Sequence, residues 1–301
     1  MVTGEDAEKF LQGQCTSDFK RLANKEWLLG AHCNVKGRMH SSFYAARINE
    51  DSIGLRIHRS IAEPALAALK KYIVFSKAQI TIKPAYLIGL VLPANSKTLP
   101  DSTLQLPDTG QYSIQPELGS VLRLDESRAE IWAEDEQSLR NLWSKLPADS
   151  ELGSDALWQQ LNIAYGIAEV RADSFEKLIP QELNFQLLNG ISFSKGCYTG
   201  QEIIARMHYR ANLKKHLYRA QTTLTISDQE PVFGTRVLST NLSNGGFVVS
   251  AVHISERYWE LLVLIKDDLI DVNSAFLELN SQPKLSWLPL PYAIPLDSSE
   301  E

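Results

Sequence analysis

The stretch "EWLLGAHCNVKGRMHSSFYAARINEDSIGLRIHRSIAEPALAALKKYI", residues 26–73, decides the fold. "EWLLGAHCNV" and "RMHSSFYAARI" are rich in apolar, aromatic and β-branched residues and meet at the turn Lys36-Gly37, which predicts two strands. "NEDSIG" makes the next turn, and "GLRIHRS" alternates with the two-residue period of a third strand. The period then lengthens. In "IAEPALAALKKYI", Leu66, Leu69, Tyr72 and Ile73 fall on one helical face, and Pro64 stands in the first turn, where a missing N–H costs nothing. "AQITIKP" and "YLIGLVL" return to β. Strands interleaved with helices that come back to a sheet predict an α+β layer of the ferredoxin-like kind.

Upstream, "GEDAEKFLQGQCTSDFKRL" has helical period, with Ala7, Phe10 and Leu11 on one side and Gly13 as a breaker. Downstream, residues 94–111 are rich in Pro, Ser, Thr and Asp and read as a loop or internal linker. "SVLRLDESRAEIWAE" followed by the helix "DEQSLRNLWSKL" repeats the strand–helix rhythm, and a further helix, "GSDALWQQLNIAYGI", ends near Gly166. From about residue 216 the pattern is all short strands with Gly, Asn, Ser and Asp turns, which fits a small antiparallel barrel. The tail "WLPLPYAIPLDSSEE" reads as extended, then disordered. The expected organisation is a first α+β unit over 1–93, a second over 112–215, and a C-terminal β-barrel over 216–301.

Composition narrows the class. The chain has 301 residues, 44% hydrophobic and 22% charged, and a net charge of −6. That is a soluble globular protein, and its charge argues against a dedicated nucleic-acid binder with a basic excess across a face. Cys15, Cys33 and Cys197 are far apart and no Cys/His cluster has zinc spacing, so no metal site is expected. "AYLIGLVLP", residues 85–93, is far shorter than the roughly twenty residues a membrane helix needs, and reads as a buried strand. No secretory leader opens the sequence, so a reducing cytoplasm is the expected compartment.

The densest chemistry lies in "SKGCYTGQE", residues 194–202. Thr199 and Glu202 have capping-box spacing, which predicts a helix through "EIIARMHYR" with Ile203, Ile204 and Met207 inward. Cys197 would then sit near the positive end of that helix, two residues after Lys195, and both features favour a thiolate. Gly196 and Gly200 remove bulk on either side, and Tyr198, Gln201 and Glu202 shape the loop. The alternative is a small buried thiol without chemistry, the reading that fits Cys15 and Cys33. A Cys-His hydrolase would need a base, and His208 is eleven residues on. No G-x-S-x-G, P-loop or H-E-x-x-H signature is present. The following segment, 206–219, carries Arg206, Arg210, Lys214, Lys215 and Arg219 among Tyr209 and Tyr218. It reads either as a solvated helix end or as an anion site for a phosphate, a polyglutamate tail or an RNA backbone.

"KGCYTGQE" followed by Arg206 resembles the signature of the YgfZ family of folate-binding, tRNA-modifying proteins. "GEDAEKFLQGQCTSD", "CNVKGR", "LNIAYGI", "IPQELNFQLLNGISF" and "LPLPY" fit the same family in order, so the resemblance covers the whole chain. It implies a fold like the glycine-cleavage T-protein, with two ferredoxin-like α+β units around a central cleft and a C-terminal antiparallel β-barrel. It also implies tetrahydrofolate or a derivative as the ligand, a cytoplasmic protein, and a role in maintaining iron–sulfur enzymes, among them those that thiomethylate tRNA. Iron–sulfur enzymes or assembly proteins are the implied partners; direct contact with tRNA stays open, and no membrane is implied. Two tryptophans of the family's folate site match Trp27 and Trp158 by position, and the other four are read as structural. Lys195 and Cys197 become the reactive pair, while Arg206, Lys214 and Lys215 are candidates for the folate tail or a partner. One departure concerns catalysis. Where T-proteins carry N-A-x-N and then an aspartate, this chain offers His58, Arg59 and Ser60 with Glu63 as the only acid. Where they place a glutamate, it has Ala164 and Tyr165. An aminomethyl-type transferase is therefore the enzyme alternative rather than the leading reading.

Overall fold

The computed structural model describes residues 1–83, 86–93, 96, 98, 105–116, 118–133, 135–144, 146–209, 213–239, 243–270 and 275–295. Half of the expected linker at 94–111, Arg210 and the last residues of the tail lie outside the described set.

The first sheet contains β1 (Val2–Thr3), β2 (Leu28–Cys33), β3 (Met39–Asn49), β4 (Ser52–Arg56) and β5 (Gln79–Ile80) in the order β2-β3-β4-β1-β5. Helix α1 (Ala7–Gln14) connects β1 to β2, and α2 (Ala62–Lys70) connects β4 to β5. With β2 set aside as an added edge strand, the remaining elements run β-α-β-β-α-β with β1 central. This is the ferredoxin-like split βαβ expected from residues 26–73. Helix α2 differs in detail: it buries Ala65, Ala68 and Leu69 and ends at Lys70, so Tyr72 is exposed rather than core-facing. Of the two leucines expected on the core face, Leu69 is buried and Leu66 half-buried, and Ala65 and Ala68 make up the rest of the packed face. The alternation of "GLRIHRS" is likewise shorter than expected, because His58 accepts from the Ser60 N–H and starts a 3₁₀ turn, Arg59–Ile61.

The second sheet, order β6-β9-β8-β7, is formed by β6 (Tyr86–Val91), β7 (Tyr112–Gln115), β8 (Gly119–Arg123) and β9 (Arg128–Ala133), followed by α3 (Glu136–Trp143). Asp135 caps α3 by accepting from the Ser138 N–H at 2.8 Å. Leu90, Leu92, Val121, Ala129, Ile131 and Leu142 make its core. The run expected as a buried strand is indeed β6, but it lies at the sheet edge. Leu90 is buried and Ile88 half-buried, while Tyr86, Leu87 and Val91 face solvent. An edge strand packed on one side has use for only half of its apolar residues.

The third sheet follows α4 (Asp155–Ala164) and α5 (Gln201–Tyr209). It comprises β10 (Lys215–Thr223), β11 (Arg236–Leu238), β12 (Asn244–Ser255), β13 (Tyr258–Lys266), β14 (Phe276–Leu277) and β15 (Ser286–Leu288), ordered β14-β11-β12-β13-β10-β15. All its pairings are antiparallel. The chain just before β15 also bonds back to β14, through Leu277 N–H to Pro283 O at 3.0 Å and Leu285 N–H to Ala275 O at 2.9 Å. One segment thus ties the two edges together, closing a barrel around Val237, Val248, Leu261, Val263, Ile265 and Leu277.

By its contacts the chain forms two compact units. One holds residues 1–33, 40–152 and 189–199, and the other holds 34–39, 153–188 and 200–301. Among the described residues, no helix is long and apolar enough to cross a membrane.

Candidate functional site

The loop that carries the cysteine belongs to the first unit, where it is laced along its length to residues 13–17 at the end of α1. Thr16 does the most. Its hydroxyl donates to Gly190 O at 2.6 Å and accepts from Ala31 N–H at 2.9 Å, while its carbonyl accepts from Ser192 N–H at 2.9 Å. Further along, the Lys195 ammonium donates to Cys15 O and Ser17 O, both at 2.7 Å, and lies 5.0 Å from the centre of the Tyr198 ring. Thr199 closes the loop, with its N–H on Gly13 O at 3.3 Å and its hydroxyl on Gln14 Oε1 at 3.0 Å. Between these fixed points Cys197 is exposed. Gly196 has open space where a side chain would begin, so no packing contact explains the glycine. Tyr198 is buried, and burial pushes its phenol well above the usual range.

Lys195 is itself tied down by these contacts. The sequence pairs it with Cys197, but its three proton donors point to main-chain oxygens of α1's C-terminal turn and to an aromatic face. Burial pulls its amine down from 10.5 to about 8, opposed by Cys15 and Asp18. Cys15 and Cys33 are the inert thiols expected: both are fully buried, and burial raises Cys15 to about 12 and Cys33 higher still.

The start of α5 also differs from the expectation. Ile204 N–H donates to Gly200 O at 3.3 Å, so Gly200, at φ +84°, holds the cap position one residue later than the box at Thr199 requires. Only glycine adopts that backbone angle without strain. Within α5, Ile204 is buried, while Ile203 and Met207 are half-buried; Glu202 and Arg206 are exposed and Gln201 half-exposed. Ile204 is held from below by Gln181 Nε2, which donates to its carbonyl at 2.6 Å.

Trp27 lies in the first unit in a polar setting that the sequence did not reveal. Its indole N–H donates to Arg123 O at 2.7 Å, and its ring meets Tyr44 edge-on at 5.1 Å. The Arg56 guanidinium lies over the Tyr44 ring at 4.4 Å and pairs with Glu130, 3.1 Å away, whose carboxylate also accepts from Trp132 Nε1 at 3.0 Å. Arg123 is buried, donates through Nη2 to Glu126 O, and keeps Nη1 buried without an acceptor among the described residues. The one legible signal was a charged residue, Glu130, inside the otherwise strand-like "RAEIWA". His58, Arg59, Ser60 and Glu63 stand at the entry to α2.

Trp158 lies in the second unit, half-buried on α4, whose next two residues fasten the helix to the barrel: Gln159 Nε2 donates to Ala251 O at 2.8 Å and Gln160 Nε2 to Glu260 at 3.2 Å. The basic strip is only partly available as an anion site. Arg219 pairs with Glu260 at 2.6 Å, and His216 and Tyr218 both bind Asp267 at 2.9 Å. Arg206 and Lys214 are exposed and Lys215 is half-buried at the start of β10. Three other family motifs converge on a structural node in the second unit. Asn184 donates to Leu217 O at 2.8 Å, and Tyr292 Oη lies within 3.3 Å of the Asn184 amide and donates to Gly166 O at 3.2 Å.

Comparison with known proteins follows the whole chain. It is 33% identical over 298 residues to the tRNA-modifying protein YgfZ of Escherichia coli O157:H7, covering 97% of this chain and 90% of that protein. It is 32% identical over 299 residues to an uncharacterized protein of Haemophilus influenzae, covering 97% and 94%. Among solved structures it superposes on the glycine cleavage system aminomethyltransferase T of Bartonella henselae with a TM-score of 0.67 at 15% identity, covering 94% of this chain and 80% of that one. That likeness identifies a T-protein-like fold. No family model matches the chain.

Proposed function

The chain belongs to the family of the tRNA-modifying protein YgfZ, and on that premise we propose that it is a tetrahydrofolate-binding accessory protein of the cytoplasm, supporting iron–sulfur enzymes and through them tRNA modification. The observation that carries the folate reading is the setting of Trp27. A reduced pterin needs a flat apolar wall with donors and acceptors at its edge. Trp27 is such a wall, fixed by its own N–H to Arg123 O, and Arg56, Glu130 and the acceptor-free Nη1 of Arg123 are the polar groups around it. These residue types fit the ligand. Bound there, a reduced folate would supply one-carbon chemistry; this chain's part is to hold the ring and exclude water from it. Trp158 is the second candidate wall, and Arg206, Lys214 and Lys215 the candidates for the anionic tail.

Cys197 is the reactive centre in this reading. An exposed thiol on a loop fastened at both ends is open to a partner yet fixed in place, while the two other thiols are sealed in the core. Lys195 acts as the tether that holds that loop.

Two measurements test this. Titration of the stable reduced folate 5-formyltetrahydrofolate, followed by tryptophan fluorescence and by calorimetry, should show saturable binding that Trp27→Ala weakens by about tenfold or more, since aromatic contacts of this kind carry ~1–2 kcal/mol. No binding to the unaltered protein would sink the folate reading. In a strain lacking its own YgfZ-type protein, the unaltered chain should restore iron–sulfur enzyme activity and Cys197→Ala should not; full rescue by that variant would remove the thiol from the function. Turnover of a one-carbon folate with a donor would instead favour a transferase.

A further inference from the structure

Between α2 and β5 the chain makes a protruding turn, Ile73–Phe75, that nothing in the proposed function uses. Phe75 is 98% exposed, the most of any large apolar side chain among the described residues; Val74 is 76% exposed and Tyr72 beside them 42%. The surroundings are basic. Residues 59–83 carry Arg59, Lys70, Lys71, Lys77 and Lys83 against the single carboxylate Glu63, a local excess of four positive charges in a chain of net charge −6. All five cations are exposed. Lys77 shares its charge with Glu5 at 3.0 Å across a pair open to solvent, which screening makes weak. Lys70, Lys71 and Lys83 have no carboxylate partner among the described residues.

We propose that this turn is a contact surface for single-stranded RNA, with Phe75 and Tyr72 as the rings on which bases stack and Lys70, Lys71 and Lys83 on the phosphates. An exposed ring flanked by cations is the combination such a strand requires: every base offers a π-face, and every nucleotide a charge. On a net acidic protein a polyanion is favoured only at locally basic faces, and this is one of them. The basic strip at 206–219 is the weaker candidate, because Arg219 is occupied by Glu260 and Tyr218 by Asp267.

The test is retention of an unmodified tRNA transcript by the full chain across a salt series, compared with Phe75→Ser and with a Lys70→Gln, Lys71→Gln, Lys83→Gln triple variant. All four positions are exposed, so the fold carries through, and a far-UV spectrum checks it. Phe75→Ser should weaken binding by about five- to a hundredfold with the salt slope unchanged, the range for losing one stacked base. The triple variant should lower the log–log salt slope by about two, at ~0.7 per phosphate contact on a single strand. The inference is overturned if the unaltered chain retains no tRNA at low salt, or if both variants bind as it does. It is equally overturned if the turn instead captures phosphatidylserine vesicles, or if only changes at Lys214 and Lys215 abolish retention. Folate binding, measured on the same variants, should be unchanged, so failure here leaves the folate reading standing and the reverse also holds.

Discussion

Replacing Lys195 with methionine keeps the stem of the side chain and removes only the ammonium. Two terms then oppose each other. The two bonds to Cys15 O and Ser17 O are charge-assisted, and such bonds contribute about 1.5–3 kcal/mol each, so their loss costs ~3–6 kcal/mol. Against this, burying the ammonium carries a penalty: a fall from 10.5 to about 8 corresponds to ~3 kcal/mol, and less after allowance for the partial exposure of the side chain. The net expectation is a loss of about 1–3 kcal/mol at neutral pH, read from urea unfolding. The sign with pH is fixed by linkage. Below about 8 the lysine is protonated in both states and the cost is level. Between about 8 and 10.5 the unfolded chain holds more protons than the native one, so the unaltered protein gains stability relative to the variant as pH rises. The gap should therefore widen through that window. Reaction of Cys197 with a disulfide reagent should change in the variant, because the loop has lost its central tie. A variant as stable as the parent at pH 7 with an unaltered Cys197 rate would refute the tether, and a gap that narrows above pH 8 would refute the lowered amine.

Other expectations can be checked alongside. Brief alkylation of the native protein should modify Cys197 alone, since Cys15 and Cys33 are buried thiols with raised pKa values; mass spectrometry showing comparable label at either would contradict their burial. Gly166→Ala should destabilise by about 2–4 kcal/mol, because Gly166 has φ +68° and a Cβ there would lie 2.3 Å from Tyr292 Oη; thermal denaturation within a degree of the parent would show that the node yields. Glu260→Gln should cost about 1–3 kcal/mol by leaving the half-buried Arg219 without its carboxylate, and an unchanged unfolding midpoint would mean that water replaces the pair.

Periodicity made the frame legible. The two-residue period of 26–56 and the change to helical period after Ile61 fix the ferredoxin-like layer, and the run of short strands after Lys215 fixes the barrel, because each pattern admits one way of burying its apolar face. What periodicity cannot convey is which neighbour an element meets. β6 has the composition of a core strand yet lies at an edge, and α2 packs through Ala65 and Ala68 beside Leu69, with Leu66 half-buried. The site was legible in part. Glycine, thiol and lysine chemistry pointed to 194–202, and burial separated Cys197 from the other thiols as expected. The partners of Lys195 were hidden, since main-chain carbonyls carry no residue identity. The Arg56–Glu130 pair beside Tyr44 was hidden too, its two members lying on strands of different sheets, more than seventy residues apart in sequence.

The ties between Lys195 or Thr199 and the end of α1 join residues 178 to 185 positions apart. During synthesis at about 5–20 residues per second, the α1 end waits on the order of 10–40 s for the segment that will cover it. Throughout that interval the carbonyls of Cys15, Thr16 and Ser17 lack these late partners, and the Thr16 hydroxyl has only the Ala31 N–H. A chain that stalls before residue 189 therefore keeps an unfinished first unit, exposed to proteases and chaperones. Arrangement of the thiol loop and completion of the first unit are thus one event, so that only a chain translated past Thr199 displays Cys197 on a loop fastened at both ends.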